Sequence, residues 1–243
     1  MKLQYKGLYT RASLVLTLAY SMTFLSFYLA NSLYTDKAFF AYLWYLVQKS
    51  TFLLLPLVSA MLTLLADSYL GMKKALVRLI PLSLAKMIYS LPYYYLYFVY
   101  DIYYDSIDAL FLGFIQATFE VIFLYLFTLL IFLVMRYFLG VFGRRGETKD
   151  KLLAKKTVLN FADPVSRTFA LSSLLCFLYI FIVEIIDTIS IVSRYSGRLR
   201  GGEIAYIVFS YCFDVLLLAL HYFVLSLIKN YIAEYRICPA DEN

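Results

Sequence analysis

A single histidine, His221, is all that 243 residues offer to imidazole chemistry. Metal centres built from several histidines are therefore excluded. Cysteine is almost as scarce: Cys176 and Cys212 fall inside apolar runs and Cys238 falls in the tail, so no extramembrane disulfide framework is visible. The chain has no N-x-S/T sequon, no glycine-rich phosphate loop and no G-x-S-x-G elbow. Nothing here points to a glycosylated exterior, to a nucleotide site of its own or to a serine hydrolase. Charged residues make up only 16% of the chain, against about a quarter in ordinary soluble domains.

Apolar residues fill the space. They account for 63% of the chain, and the mean hydropathy is +0.76. The apolar residues are gathered into runs of spanning length near residues 12–34, 42–65, 75–100, 109–135, 168–192 and 204–228. Each reaches the roughly 20 residues that a helix needs to cross the hydrocarbon core. The runs are continuous rather than alternating, so helices are expected and barrel strands are not. The expected fold is all-α: one polytopic transmembrane helical bundle of about six spans covering residues 1–243. The first run follows Lys2, Lys6 and Arg11 as a signal peptide would. It is too long for an h-region, however, and bulky Tyr28 precedes the one cleavage-like site, so an uncleaved span is expected. The fourth run continues through Tyr137 and Phe142, which predicts a helix that tilts or projects beyond the bilayer.

The net charge of +6 would suggest nucleic acid in a soluble protein, but here the basic residues sit in short loops. Fifteen Lys and Arg fall on one side of the proposed topology and four on the other. The positive-inside rule then places both termini, and the basic loop 136–167, in the cytoplasm of a cell-membrane protein. Within that loop, Leu152, Leu153, Val158 and Leu159 are expected to share a helical face flanked by Lys151, Lys155 and Lys156. Such a helix would lie on the anionic inner leaflet, or dock a cytoplasmic ATPase or another membrane subunit. Tyrosines from Tyr89 to Tyr104 crowd the outer end of the third run as an interfacial belt. Asp101 and Asp105 have the DxxxD spacing of a magnesium-binding motif but no second acidic partner, so no metal is assigned, and no cofactor.

The informative residues are the ionisable groups inside the runs, because a charge at the bilayer centre costs about 2.5–3.5 kcal/mol on insertion scales. They must face the bundle interior, water or one another. Depth counting predicts a central layer of Lys86, Glu120 and Asp214, with Gln116 and His221 on the same helix faces. It also predicts an outer layer of Lys49, Glu184 and Asp187. The leading functional expectation is a transporter or permease-like subunit moving a small solute or ion past these groups. The rival is a non-transporting assembly, immunity or scaffold protein whose buried charges serve helix packing. A third alternative is an intramembrane enzyme, for which Asp187 and Asp214 would form an aspartyl pair, although neither has flanking glycines.

Overall fold

In the computed structural model, the described residues are 56–65, 67, 71–77, scattered helical positions between 79 and 99, 105–143, 148–158, 160–194 and 201–234. Every regular element among them is a helix: α1 (Pro56–Leu65), α2 (Met72–Val77), α3 (Ser106–Phe142), α4 (Lys149–Ala154), α5 (Pro164–Arg194) and α6 (Gly201–Glu234). The first expected span, most of the second, Lys49 and Lys86 lie outside the described residues. Two helices are long and apolar enough to cross a membrane: α3, with 37 residues, and the stretch Ile207–Tyr231 of α6. At 1.5 Å per residue α3 is about 55 Å long, longer than a bilayer core, as the run through Tyr137 and Phe142 predicted.

The chain forms two compact units that divide between Arg136 and Tyr137, inside α3. In the first unit, the buried side of α3 follows Ala109, Gly113, Ala117, Leu124, Thr128, Ile131 and Met135, with small residues in its N-terminal part. Small side chains let another backbone come close. A Cβ at Gly113 would stand 3.1 Å from the Tyr95 nitrogen and 3.4 Å from the Tyr94 carbonyl carbon. At the other end, Gly71 takes φ +80°, a left-handed conformation that costs glycine little, and its N–H donates to Asp67 O at 3.0 Å. The turn this makes is tied to α3 by Arg136, whose Nη1 donates to Asp67 Oδ2 at 2.7 Å.

The second unit is an antiparallel pair, α5 against α6, with α4 packed on α5. The pairings fix the direction: Thr188 meets Tyr211, Glu184 meets Ser210, and Phe177 meets His221. Helix α5 starts where it does because Pro164 suits the first helical position and the Asp163 carboxylate accepts from Ser166 N at 3.0 Å. Hydroxyls within the helices return to their own backbone, as in Thr63 to Ser59 O (2.7 Å), Thr118 to Phe114 O (2.8 Å) and Thr168 to Pro164 O (2.8 Å).

Beside an apolar core that includes Phe132, Phe169, Phe177, Leu217 and Leu225, many large apolar side chains lie on the surface and several polar ones are buried. Phe111, Phe119, Leu126 and Leu130 of α3 and Val208, Val215, Leu216 and Leu227 of α6 are all exposed. Ser210, Asp214, His221 and Lys229 of α6 are buried. Only 28% of each apolar window is buried, whereas the core helix of a water-soluble protein would be mostly covered.

The segment after α3 departs from the expected amphipathic helix. Helix α4 spans only six residues, capped by Thr148, and the chain becomes extended at Lys155 (φ −72°, ψ 147°). Leu152 and Leu153 are buried, and Val158 is 61% exposed beyond the helix end. The cause is competition for the backbone: Asn230 takes both the N–H and the C=O of Thr157, and Ser166 Oγ donates to Val158 O. Those groups are then lost to a helical ladder.

Candidate functional site

The site is built on the face that α6 turns inward. Ser210, Asp214 and His221 recur at spacings of four and seven, which keeps them within about 40° of one another around a helix of 3.6 residues per turn. All three are nearly inaccessible, and Asp214 is 0% exposed. Toward its C-terminal end the buried face widens to take in Leu225, Ser226 and Lys229, because Lys155, Thr157 and Phe161 lie across it. From Ser210 to Lys229 the helix rises about 28 Å.

Each group has a definite setting. Glu184, on α5, is 8% exposed and accepts from Ser210 Oγ at 3.0 Å. One turn farther along, Thr188 Oγ1 and Tyr211 Oη lie 3.3 Å apart. His221 Nδ1 lies 2.5 Å from Leu217 O. A carbonyl only accepts, so in this bond Nδ1 carries the proton. The edge of this imidazole meets the Phe177 ring, with centroids 5.1 Å apart, which fixes its orientation.

The other expected groups are placed less centrally or not at all. Asp187 is on α5, three residues beyond Glu184, and its side chain is outside the described residues. Glu120 is half-buried and Gln116 is exposed, not inward-facing. For Gln116 the reason is angular, since it stands about 60° from Gly113 and about 100° from Ala117 around the helix, whereas Glu120, seven residues after Gly113, lies at the edge of the buried line with its Oε2 buried. Glu120 belongs to the first unit and Asp214 to the second.

Several contributors were not foreseen. Lys229, the first residue after the sixth expected run and one of the fifteen basic residues on the expected cytoplasmic side, is 0% exposed, with Nζ donating to Lys155 O at 2.6 Å. Its neighbour Asn230 clamps Thr157, accepting from its N–H at 2.5 Å and donating to its carbonyl at 2.9 Å. Phe161 stacks on Tyr222, and Arg167 donates to Phe161 O while lying over the Phe142 ring. The one available signal was that Lys229 and Asn230 follow the apolar run without a break. The partners that bury them lie more than seventy positions earlier.

Asn230→Ala is expected to free this strap. Two backbone groups of buried Thr157 lose their partners, a cost of about 1–3 kcal/mol each where water cannot replace them. Limited proteolysis should then cut within 155–163 in the variant, with helical content unchanged. Equal resistance in the two proteins would show that the clamp does not hold the segment.

Among the described residues no group of three or more His, Cys, Asp or Glu is placed to hold a metal ion. No family model matches the chain, and no curated protein or solved structure is significantly similar to it.

Proposed function

We propose that this is a multi-pass cell-membrane protein of about six spans, with both termini cytoplasmic, and that it acts as a transporter or permease-like subunit for a small solute or ion. The observation that carries the reading is the inverted surface of the α5–α6 pair. Large apolar side chains face outward, and a buried polar line with acids in its outer half and Lys229 at its inner end runs for about 28 Å. That length is close to the roughly 30 Å thickness of a hydrocarbon core. Ionisable groups at such depth mark ion or substrate paths in many membrane proteins.

Glu184, Asp214 and His221 are the path groups of this reading, with Glu120, Gln116 and Lys86 as further candidates on the remaining helices. Coupling would come from an ion gradient or from a separate cytoplasmic ATPase or membrane subunit. The exposed Lys149, Lys151, Lys155, Lys156 and Arg167 give such a partner an electropositive docking surface. The rival scaffold reading is favoured by the Glu184–Ser210 and Thr188–Tyr211 pairs, which join α5 to α6 as packing bonds would.

Flux in reconstituted vesicles separates the two. With a pH-sensitive dye inside and an imposed membrane potential, the parent should carry protons. Asp214→Asn and Glu120→Gln should fall to the level of protein-free vesicles while still inserting normally. A parent with no flux would contradict a proton path, and variants that at the same time lower abundance or partner capture would favour the scaffold reading.

A further inference from the structure

A second site lies beneath the strap, away from the acids. The segment 155–161 crosses the side of α6 that carries Tyr222, Ser226, Lys229 and Asn230, as the Phe161–Tyr222 stack, the Lys229–Lys155 bond and the Asn230–Thr157 clamp show. Ser226 is one turn from both Lys229 and Asn230, so it sits under the same cover. Three polar atoms are buried there with little to bind. Ser226 Oγ and Thr157 Oγ1 have no hydrogen-bond partner among the described residues, although Ser226 is 2% and Thr157 5% exposed. Lys229 has three N–H donors, and one of them is used by Lys155 O. The Asp163 carboxylate acts on Lys229 electrostatically without forming an ion pair with it.

Buried hydroxyls left unpaired cost about 1–3 kcal/mol each, and an ammonium costs more, so an anion bound here would offset both. An ammonium with spare donors, flanked by two hydroxyls that donate or accept, matches an anion bearing several oxygens. Exposed Lys155 and Lys156 stand on the strap itself and would draw an anion to its rim.

We propose that Lys229, Ser226 and Thr157 form a binding site for a phosphate-type oxyanion under the 155–161 strap. The site goes beyond the conduction reading and stands whether or not the polar line carries a solute. Free phosphate and the phosphodiester of an anionic lipid present the same chemistry.

Thermal unfolding of the full-length protein in an uncharged detergent tests it. Inorganic phosphate and phosphatidylglycerol are titrated separately, with the ionic strength held constant by sodium chloride. At least one of the two should raise the unfolding temperature saturably, phosphate identifying a soluble ligand and phosphatidylglycerol a lipid headgroup. Lys229→Gln should weaken the apparent affinity by at least about tenfold, and Ser226→Ala should weaken it by several-fold. Ser226→Ala removes no hydrogen bond seen in the structure, so it remains informative if Lys229→Gln fails to fold. No saturable shift with either probe, or the same shift in Ser226→Ala as in the parent, would overturn the site.

Discussion

Leu216→Lys is expected to keep α6 from inserting into a membrane, while Leu216→Ala is expected to be well tolerated. Leu216 is 62% exposed, near the middle of the apolar stretch Ile207–Tyr231. On a water-soluble protein, an exposed leucine exchanged for lysine changes stability by about 0.5 kcal/mol or less. Facing hydrocarbon, the same lysine costs about 2.5–3.5 kcal/mol on insertion scales, and at mid-depth it cannot readily reach the headgroups. Leu126→Lys, on the exposed side of α3, should behave in the same way. Carbonate extraction of cell membranes provides the measurement: the lysine variants should be depleted from the resistant fraction and the alanine variants retained. Lysine variants that insert and accumulate like the parent would mean that these faces meet water or another protein.

Gly113→Leu should be the most damaging change in the first unit. The atoms that a Cβ would meet at 3.1 and 3.4 Å are backbone atoms of Tyr95 and Tyr94, which cannot swing aside as a side chain can. Relief requires α3 to move away from residues 94–95, and overpacking of that kind costs about 1–3 kcal/mol, sometimes more. Gly113→Ala adds one carbon at the same close contact but recovers about 1 kcal/mol of helix propensity, so its net effect should be small. Unfolding by a denaturing detergent should rank the parent and the alanine variant together, with the leucine variant well below. A leucine variant as stable as the parent would show that the helix is not held against residues 94–95.

How far the sequence reveals this arrangement depends on which physical signal carries each part. The long helices are legible because a spanning run needs length and oiliness alone, and α3, α5 and α6 each enclose the run expected of them. The inward side of α3 is not legible from hydropathy, because both of its sides are apolar. What separates Ala109, Gly113 and Ala117 from Phe111, Phe114 and Phe119 is size. Asp214 and His221 announce themselves as polar groups inside an oily run, and the structure buries both. Lys229 stands at the end of its run, where a lysine that sets orientation and a lysine buried under a loop look the same. The strap that distinguishes them depends on pairings 73 and 74 positions apart, which no local pattern records. The amphipathic helix expected there is longer than the observed one for the same reason. A distant asparagine claims the Thr157 backbone groups that continuing it would have used.

The central claim is that α6 packs a polar side inward, closed in this structure and opened to water only as solute passes, and turns an apolar side to lipid. Single cysteines placed along it, in a background with Cys176, Cys212 and Cys238 replaced, test this directly in sealed membranes with a small water-soluble thiol reagent. Ser210→Cys, Leu217→Cys and His221→Cys should be modified, and Val208→Cys, Leu216→Cys and Leu227→Cys should stay unreactive. Labelling of the second set, or of neither set, would contradict the account.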